Sequence, residues 1–424
     1  MTILEPLTIE GSSEIDGVDL HALAAQIGTP TYIYSASAIR ERIQSLQHAL
    51  KGLDTRVCYA VKANANLAVL QLMAEQGVGA DIVSVGELRR ALRAGIPASR
   101  IVYSGVGKTA DEIAEAVGMG VWRYNVESHD ELRTLQTVAA GRGAAVRASA
   151  RINPDVDAGT HAKISTGKSE NKFGVSIDEA RHWFADAAQY PNVRLDGLHA
   201  HIGSQILSIG PFQLALQRVA AFARELAGQG QVLNCIDVGG GLGVRYRQDQ
   251  APPLTPDDYA AMLRETFADF HGRLILEPGR YLVAEAGWLL TRVIRVKPGQ
   301  QRAFLIVDAA MNDLLRPALY DAWHDIVPLH GRDADTVEYD VVGPVCETGD
   351  TFAVRRPMPA CRAGDLIAIA GAGAYGAAMA STYNSRPLPA EVLLDRGRYA
   401  VIRRRQDYDA MIADECPVQE WSTA

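Results

Sequence analysis

The sequence predicts an α/β protein, a (β/α)8 barrel followed by a mainly β domain, and three observations lead there. Eight apolar, β-branched runs recur between about residues 57 and 280, alternating with stretches whose apolar residues fall at helical spacing. Polar and glycine-rich motifs stand at the C-terminal ends of several of those runs, at Lys62, Asp81, His201, Gly239, Gly240, Gly241 and Glu277. After about residue 285 the helical spacing gives way to short β-like runs separated by Pro, Gly and Asp.

The eight runs are RVCYAVK (56–62), VGADIVS (78–84), RIVYSG (100–105), VWRYNV (121–126), AVRASARI (145–152), VRLDGLHAHI (193–202), VLNCIDV (232–238) and RLILEP (273–278). Segments such as NLAVLQLMAEQG and SVGELRRALRAG lie between them and read as helices. Strand and helix in alternation mean parallel βα units, and eight units fit the roughly 250 residues that a closed barrel needs. An open doubly wound sheet is the alternative. It would gather its polar motifs near one switch point, whereas a barrel brings the ends of all strands to one mouth. Motifs spread over at least four strand ends favour the barrel.

In the second domain WLLTRVIRVK, RAFLIVDAA, VEYDVVG and DLIAIAG read as strands. MNDLLRPALYDAWHDI is the expected helical exception, with Pro317 near its start. The expected division is an N-terminal segment 1–30 that pairs with the β domain, a barrel over 31–284 and a β domain over 285–424.

Composition narrows the class of function. Hydrophobic residues make up 48% and charged residues 22%, ordinary for a globular protein with a sizeable core. The net charge of −8 argues against nucleic acid or an anionic membrane as partner and leaves a small-molecule substrate. Cys58, Cys235, Cys346, Cys361 and Cys416 are odd in number and scattered, so neither a zinc cluster nor a disulfide framework is expected. The start, MTILEPLTIEGSSEIDG, is acidic where a signal peptide would be basic. No stretch approaches the roughly 20 apolar residues of a membrane span, and a cytoplasmic location is expected.

Four motifs carry chemistry at the barrel mouth. Lys62 ends the run YAVK; it either caps the strand into solvent or, desolvated at the mouth, loses pKa and attacks an aldehyde. DVGGGLG (237–243) offers backbone N–H groups to an anion, or a tight turn, and lacks the spacing of a dinucleotide fingerprint. GLHAHIGSQ puts His199 and His201 on one face of a strand, with no third metal ligand evident nearby, and Ser204 adds a hydroxyl. EPGR supplies Glu277, Gly279 and Arg280: an ordinary ion pair, or a carboxylate for a pyridine nitrogen and a planar fork for an anion. The β domain adds GPVCETGD, in which Cys346 is a buried thiol or a proton donor, and GAYG around Tyr375.

The ordered set YAVKAN, ADIVSVGEL, RINP, NKFG, HIGSQ, DVGGGLG, EPGR, MNDLLRPALY, GPVCET and GAYG resembles the fold type III pyridoxal-phosphate decarboxylases over nearly the whole chain. The resemblance implies pyridoxal 5′-phosphate as cofactor, held covalently by Lys62, with His201 against its ring. It places Gly239, Gly240, Gly241, Ser204, Gly279, Arg280 and Tyr375 at the cofactor and its phosphate, and Glu277 at the pyridine nitrogen. Substrate contacts fall to Arg280, Arg316, Tyr320, Glu347 and Tyr375. Cys346 is implied as the proton donor, supplied by the partner subunit of a homodimer whose active sites are shared. One small departure is Ala310 in DAAMNDL, where the family often has glycine.

Other outcomes on this fold remain in view. An amino acid racemase would leave the ring nitrogen unprotonated, which Glu277 opposes. Decarboxylases of other basic or carrier-bound amino acids share the motifs. A non-catalytic binding homologue should have lost Lys62 or Cys346, and both are present.

Overall fold

The computed structural model describes residues 13–157, 172–247, 249–300, 302–329, 334–418 and 421. The chain forms two compact units. One holds Ser35–Ala286 and Gly373–Ala378; the other holds Ile9–Tyr34, Gly287–Ala372 and Met379–Ala424.

The first unit is the expected barrel. Its eight strands are Thr55–Ala60, Gly79–Ile82, Ile101–Tyr103, Arg123–Val126, Val146–Arg151, Val193–His199, Cys235–Asp237 and Arg273–Leu276. All neighbours pair in parallel, and the last strand closes on the first in the register Leu276↔Val57. Each of the eight apolar runs supplies one strand. Serine and threonine start the helices that follow: Ser84 caps Val85–Arg93, and Thr109 forms a capping box with Glu112 at Ala110–Gly118. These hydroxyls satisfy N–H groups that the first helical turn leaves free, so each strand-to-helix corner is fixed locally.

The barrel is filled, not hollow. Cys58, Val102, Cys235 and Ile275 form one apolar cluster. Beside it Arg123, fully buried, donates to Asp196 Oδ1 at 2.6 Å and to the Ala148 carbonyl at 3.0 Å. A charge in that position is tolerable because it is paired with the Asp196 carboxylate at 2.6 Å.

The second unit is built on a nine-stranded sheet. Its main path runs Thr351–Pro359, Thr336–Val342, Ala303–Val307, Gly287–Pro298, Thr31–Ser35, Ala390–Asp395, Arg398–Arg403. Leu366–Ile369 pairs with Gly287–Pro298 and with Ile326–Pro328. All four β-like runs read from the sequence are strands here. The helix Leu20–Ile27 lays Leu20, Leu23 and Ala24 against Trp288, Leu290 and Val392 in the sheet's core. Residues 1–12 of the N-terminal segment lie outside the described residues.

Three boundaries differ from the expectation. Thr31–Ser35 is not part of the barrel but pairs antiparallel with Gly287–Pro298, every residue buried. Gly373–Ala378 groups with the barrel, since Gly373 N–H donates to the Ala284 carbonyl and Tyr375 N–H to the Ala63 carbonyl. The helix expected over MNDLLRPALYDAWHDI is only Arg316–Tyr320, because Asp321 takes a left-handed φ of 51° and ends it. No helix among the described residues is long and apolar enough to cross a membrane.

Candidate active site

Strand ends carry the site. Lys62 sits two residues past Thr55–Ala60 in the short turn Val61–Ala63, and its Nζ donates to Asp81 Oδ2 at 3.2 Å. Asp81 stands on the neighbouring strand and is wholly buried. The sequence predicted that burial would lower the Lys62 pKa. Burial does pull it down, but Asp81, Tyr375 and Glu277 outweigh burial and the net shift is upward. The side chain keeps 42% of its surface open, which screens those charges. Lys62 is therefore an ammonium that must hand on a proton before it can act as a nucleophile.

Glu277 follows the last strand and is almost fully buried. Its Oε1 accepts from Asn125 Nδ2 at 3.2 Å and from the Ser104 hydroxyl at 3.4 Å; its Oε2 accepts from His199 Nε2 at 3.2 Å. Burial alone would raise its pKa. His199, Lys62 and a hydrogen bond with Asp237 overcome this and hold the carboxyl well below the usual range.

His201 is held by the glycine run. Gly240 N–H donates to its Nδ1 at 3.1 Å, which puts the ring proton on Nε2. Burial first, then Lys62 and Arg151, pull its pKa down to about 3, so the ring is neutral. The glycines have a steric reason as well. A Cβ on Gly240 would run into the Glu277 carbonyl oxygen, and Gly239 needs a φ of +68°. Glu277 N–H donates to the Gly239 carbonyl at 2.8 Å, so the DVGGGLG turn and the EPGR turn are locked together.

Arg280, buried at the start of Arg280–Val283 beside Gly279, donates to the Ser204 hydroxyl at 3.0 Å and to Tyr246 Oη at 2.7 Å. The Tyr375 ring centroid lies 4.9 Å from the same guanidinium. Lys62, His201, Ser204, the glycine triplet, Glu277, Gly279, Arg280 and Tyr375 thus belong to one compact unit.

The remaining candidates belong to the other. Arg316 is buried and donates to His324 Nε2 at 2.9 Å, while His324 Nδ1 donates to the Ala370 carbonyl at 2.8 Å. Tyr320 is half-buried at the end of the same short helix. Cys346 and Glu347 are exposed on a loop. The Asp350 carboxylate ties that loop to the Arg316 segment: Oδ1 accepts Met311 N–H at 2.6 Å and Oδ2 accepts Val345 N–H at 2.7 Å. Ala310, the departure from the family pattern, is buried and donates its N–H to Asp313 Oδ2.

Several functional residues escaped the sequence. Asn125, Ser104, Tyr246 and His324 carry no motif, and Asp350 ends GPVCETGD without having been singled out there. Asn125 and Ser104 did have a signal, a polar side chain at the C-terminal end of a barrel run. His199 lies in a cluster of a different kind, without His201: His199, Asp237 and Glu277 bring one donor atom each within 4.8 Å of one another. The hydrogen bonds among them and to Asn125 account for that cluster.

A barrel with a strand-end lysine, a buried carboxylate and an Arg–Ser anion seat defines a class. The sequence pattern of the pyridoxal-dependent decarboxylases, pyridoxal binding domain, matches residues 36–284, and the chain belongs to this family. Its curated relatives are more particular. The diaminopimelate decarboxylase of Zymomonas mobilis is 47% identical, over 97% of this chain and 98% of its own. That of Pseudomonas aeruginosa is 49% identical, over 94% and 96%. The crystal structure of diaminopimelate decarboxylase from Helicobacter pylori complexed with L-lysine superposes with a TM-score of 0.89 at 43% identity, covering 93% of this chain and 98% of that one.

The cofactor of the family is pyridoxal 5′-phosphate, and the residues present fit it. A buried, ionised carboxylate at a strand end suits a pyridine N–H. A neutral imidazole suits contact with the ring, and Arg280 with Ser204 suits a phosphate.

Proposed function

We infer that this chain decarboxylates meso-2,6-diaminopimelate at its D centre, releasing CO2 and L-lysine as the last step of lysine biosynthesis. The reaction type rests on the ionised Glu277 beside Lys62 at the barrel mouth. The choice of substrate rests on near-full-length similarity to proteins named diaminopimelate decarboxylase, one of them solved with L-lysine.

Bound pyridoxal phosphate supplies an electron sink for the pair left on Cα when CO2 departs. Lys62 would hold the cofactor covalently through its Nζ. Asp81 Oδ2 is placed to take the Lys62 proton. His201 would pack against the cofactor ring, and Gly239, Gly240, Gly241, Ser204, Gly279, Arg280 and Tyr375 would seat the cofactor and its phosphate. Glu277 would keep the pyridine nitrogen protonated, which would favour decarboxylation over racemisation. Arg280, Tyr375, Arg316, Tyr320 and Glu347 bind the substrate; Arg316 with Glu347 matches the carboxylate and ammonium of its distal head group.

Cys346 of the partner subunit delivers the proton to Cα, so the working form is a homodimer. Exposure of Cys346, on a different compact unit from Lys62, supports this. A cytoplasmic location belongs to the same proposal, supported by five free thiols.

The test is lysine release by the purified, cofactor-loaded protein from meso-diaminopimelate, measured against ornithine, arginine and lysine. Turnover of diaminopimelate well above the others is expected. Equal use of lysine or ornithine would overturn the substrate, and absence of any CO2 release would overturn the decarboxylase.

A further inference from the structure

Behind Glu277 lies a second buried acid with no assigned task. Asp237 ends Cys235–Asp237, and its strand pairs with Arg273–Leu276, which leads into Glu277. Asp237 is fully buried. Its Oδ1 accepts Gly239 N–H at 3.0 Å, and its Oδ2 lies 3.2 Å from Asn125 Nδ2. That amide nitrogen is also 3.2 Å from Glu277 Oε1 and 3.1 Å from Ser104 Oγ. The Ser104 hydroxyl in turn donates to Glu277 Oε1 at 3.4 Å, so Asn125 and Ser104 tie the two carboxyls into one buried cluster, with ligand atoms of Asp237 and Glu277 within 4.8 Å of each other.

The surrounding charges decide which of the two carboxyls holds a proton. Lys62 is engaged by Asp81, and His199 by the far oxygen of Glu277. His201 Nδ1 is occupied by Gly240 N–H. Among the described residues, Asp237 meets no cation in hydrogen-bond or ion-pair contact. The Cys58 and Cys235 thiols and the Tyr259 phenol around it are all pushed up by burial and are neutral at pH 7. Two carboxyls this close, both out of water, do not ionise together. Glu277, with His199 and Lys62 stabilising its charge, keeps the charge; the other acid keeps a proton.

We propose that Asp237 is a neutral carboxylic acid at physiological pH and donates its O–H to Glu277, acting as the positioning residue that keeps Glu277 ionised and aimed at the pyridine nitrogen. The inference rests on the role given to Glu277 above. Burial, the Glu277 charge and the hydrogen bond to Glu277 all push the Asp237 carboxyl well above its ordinary range. A buried acid kept neutral so that it can donate is an established device. The arrangement also states its own isostere. Asparagine would accept Gly239 N–H through its oxygen and donate to Glu277 through its nitrogen.

Infrared difference spectra with 13C-labelled aspartate on the cofactor-loaded enzyme read the proton directly. The wild type should show the C=O stretch of a protonated carboxylic acid, absent from Asp237→Asn. Asp237→Ala, which leaves Glu277 without this donor, should lose activity on the order of 10- to 100-fold. Asp237→Asn should recover most of that loss. Absence of the band from the wild type overturns the proposal. So does an Asp237→Asn variant that folds, binds cofactor and is no better than Asp237→Ala. If Asp237→Ala does not fold, the band and the activity of Asp237→Asn against wild type still decide. Glu277→Gln is the separate check: a near-normal rate there removes the pyridine-nitrogen role, whatever the infrared band shows.

Discussion

Lys62 Nζ lies 3.2 Å from Asp81 Oδ2, and the Asp81 side chain has no surface open to solvent. The pair sets the first prediction. Asp81 stabilises the ammonium, so Asp81→Asn should lower the Lys62 pKa and move the pH profile for covalent uptake of pyridoxal phosphate to lower pH. The rate of cofactor absorbance change, followed on cofactor-free protein from pH 6 to 10, checks it. An unchanged profile would show that Asp81 does not govern the Lys62 proton.

His201 gives a pH prediction for stability. Its folded pKa is down at about 3 against an ordinary 6.5. Between those values the unfolded chain binds a proton that the folded one does not, so stability falls as pH falls from 6.5 toward 3. The slope from this one group is at most about 1.4 kcal/mol per pH unit, and the ring's partial exposure reduces it. Urea unfolding of cofactor-free protein at pH 7, 6, 5 and 4 should show a shallower acid loss in His201→Gln. Identical pH dependence in the two proteins would refute it.

Arg316 is expected to read the distal carboxylate of the substrate. Removing a buried charged partner costs roughly 2–5 kcal/mol, or about 30- to several-thousand-fold. Arg316→Met should therefore damage kcat/KM for diaminopimelate far more than for lysine. His324→Ala, which frees the guanidinium from its hydrogen bond, should raise KM for diaminopimelate with a smaller effect on kcat. Equal losses for both substrates in Arg316→Met would take the carboxylate away from this residue.

The shared active site is testable by mixing. Lys62→Ala and Cys346→Ala are each expected to be inactive. After subunit exchange, statistical mixing makes about half of the dimers heterodimers, each with one intact site. Partial recovery of activity is the expected result. No recovery, with exchange proven by mass labelling, would place both residues in one subunit's site.

The barrel was legible because each strand announces itself locally. RVCYAVK, RIVYSG and RLILEP are apolar and β-branched, and a parallel strand buried on both faces needs little else. Thr31–Ser35 was misplaced because its partners, Gly287–Pro298 and Ala390–Asp395, lie hundreds of residues away. TYIYS looks the same before a barrel as inside a sheet. The helix expected after Met311 failed at Asp321, whose left-handed backbone no periodicity reveals. In the site, residues with a motif were found, whereas their supports were not. Lys62, Glu277 and Arg280 stand in YAVKAN and EPGR, but Asn125 and His324 act through contacts 152 and 8 residues along the chain, to Glu277 and Arg316. The pKa of Lys62 was misjudged because burial was visible in the strand pattern and the Asp81 contact was not.

The central placing of Thr31–Ser35 also fixes an order of events on the ribosome. The barrel's last strand ends at Leu276, and all its strands can pair once that residue has emerged. Thr31–Ser35, made before any of them, must wait for Gly287–Pro298, and Ala390–Asp395 comes near the very end. A chain that grows from its N-terminus thus finishes the barrel first and closes the sheet last. Ribosome-bound chains arrested with about 310 residues emerged should hold a protease-resistant barrel, while the sheet acquires protection only in full-length protein.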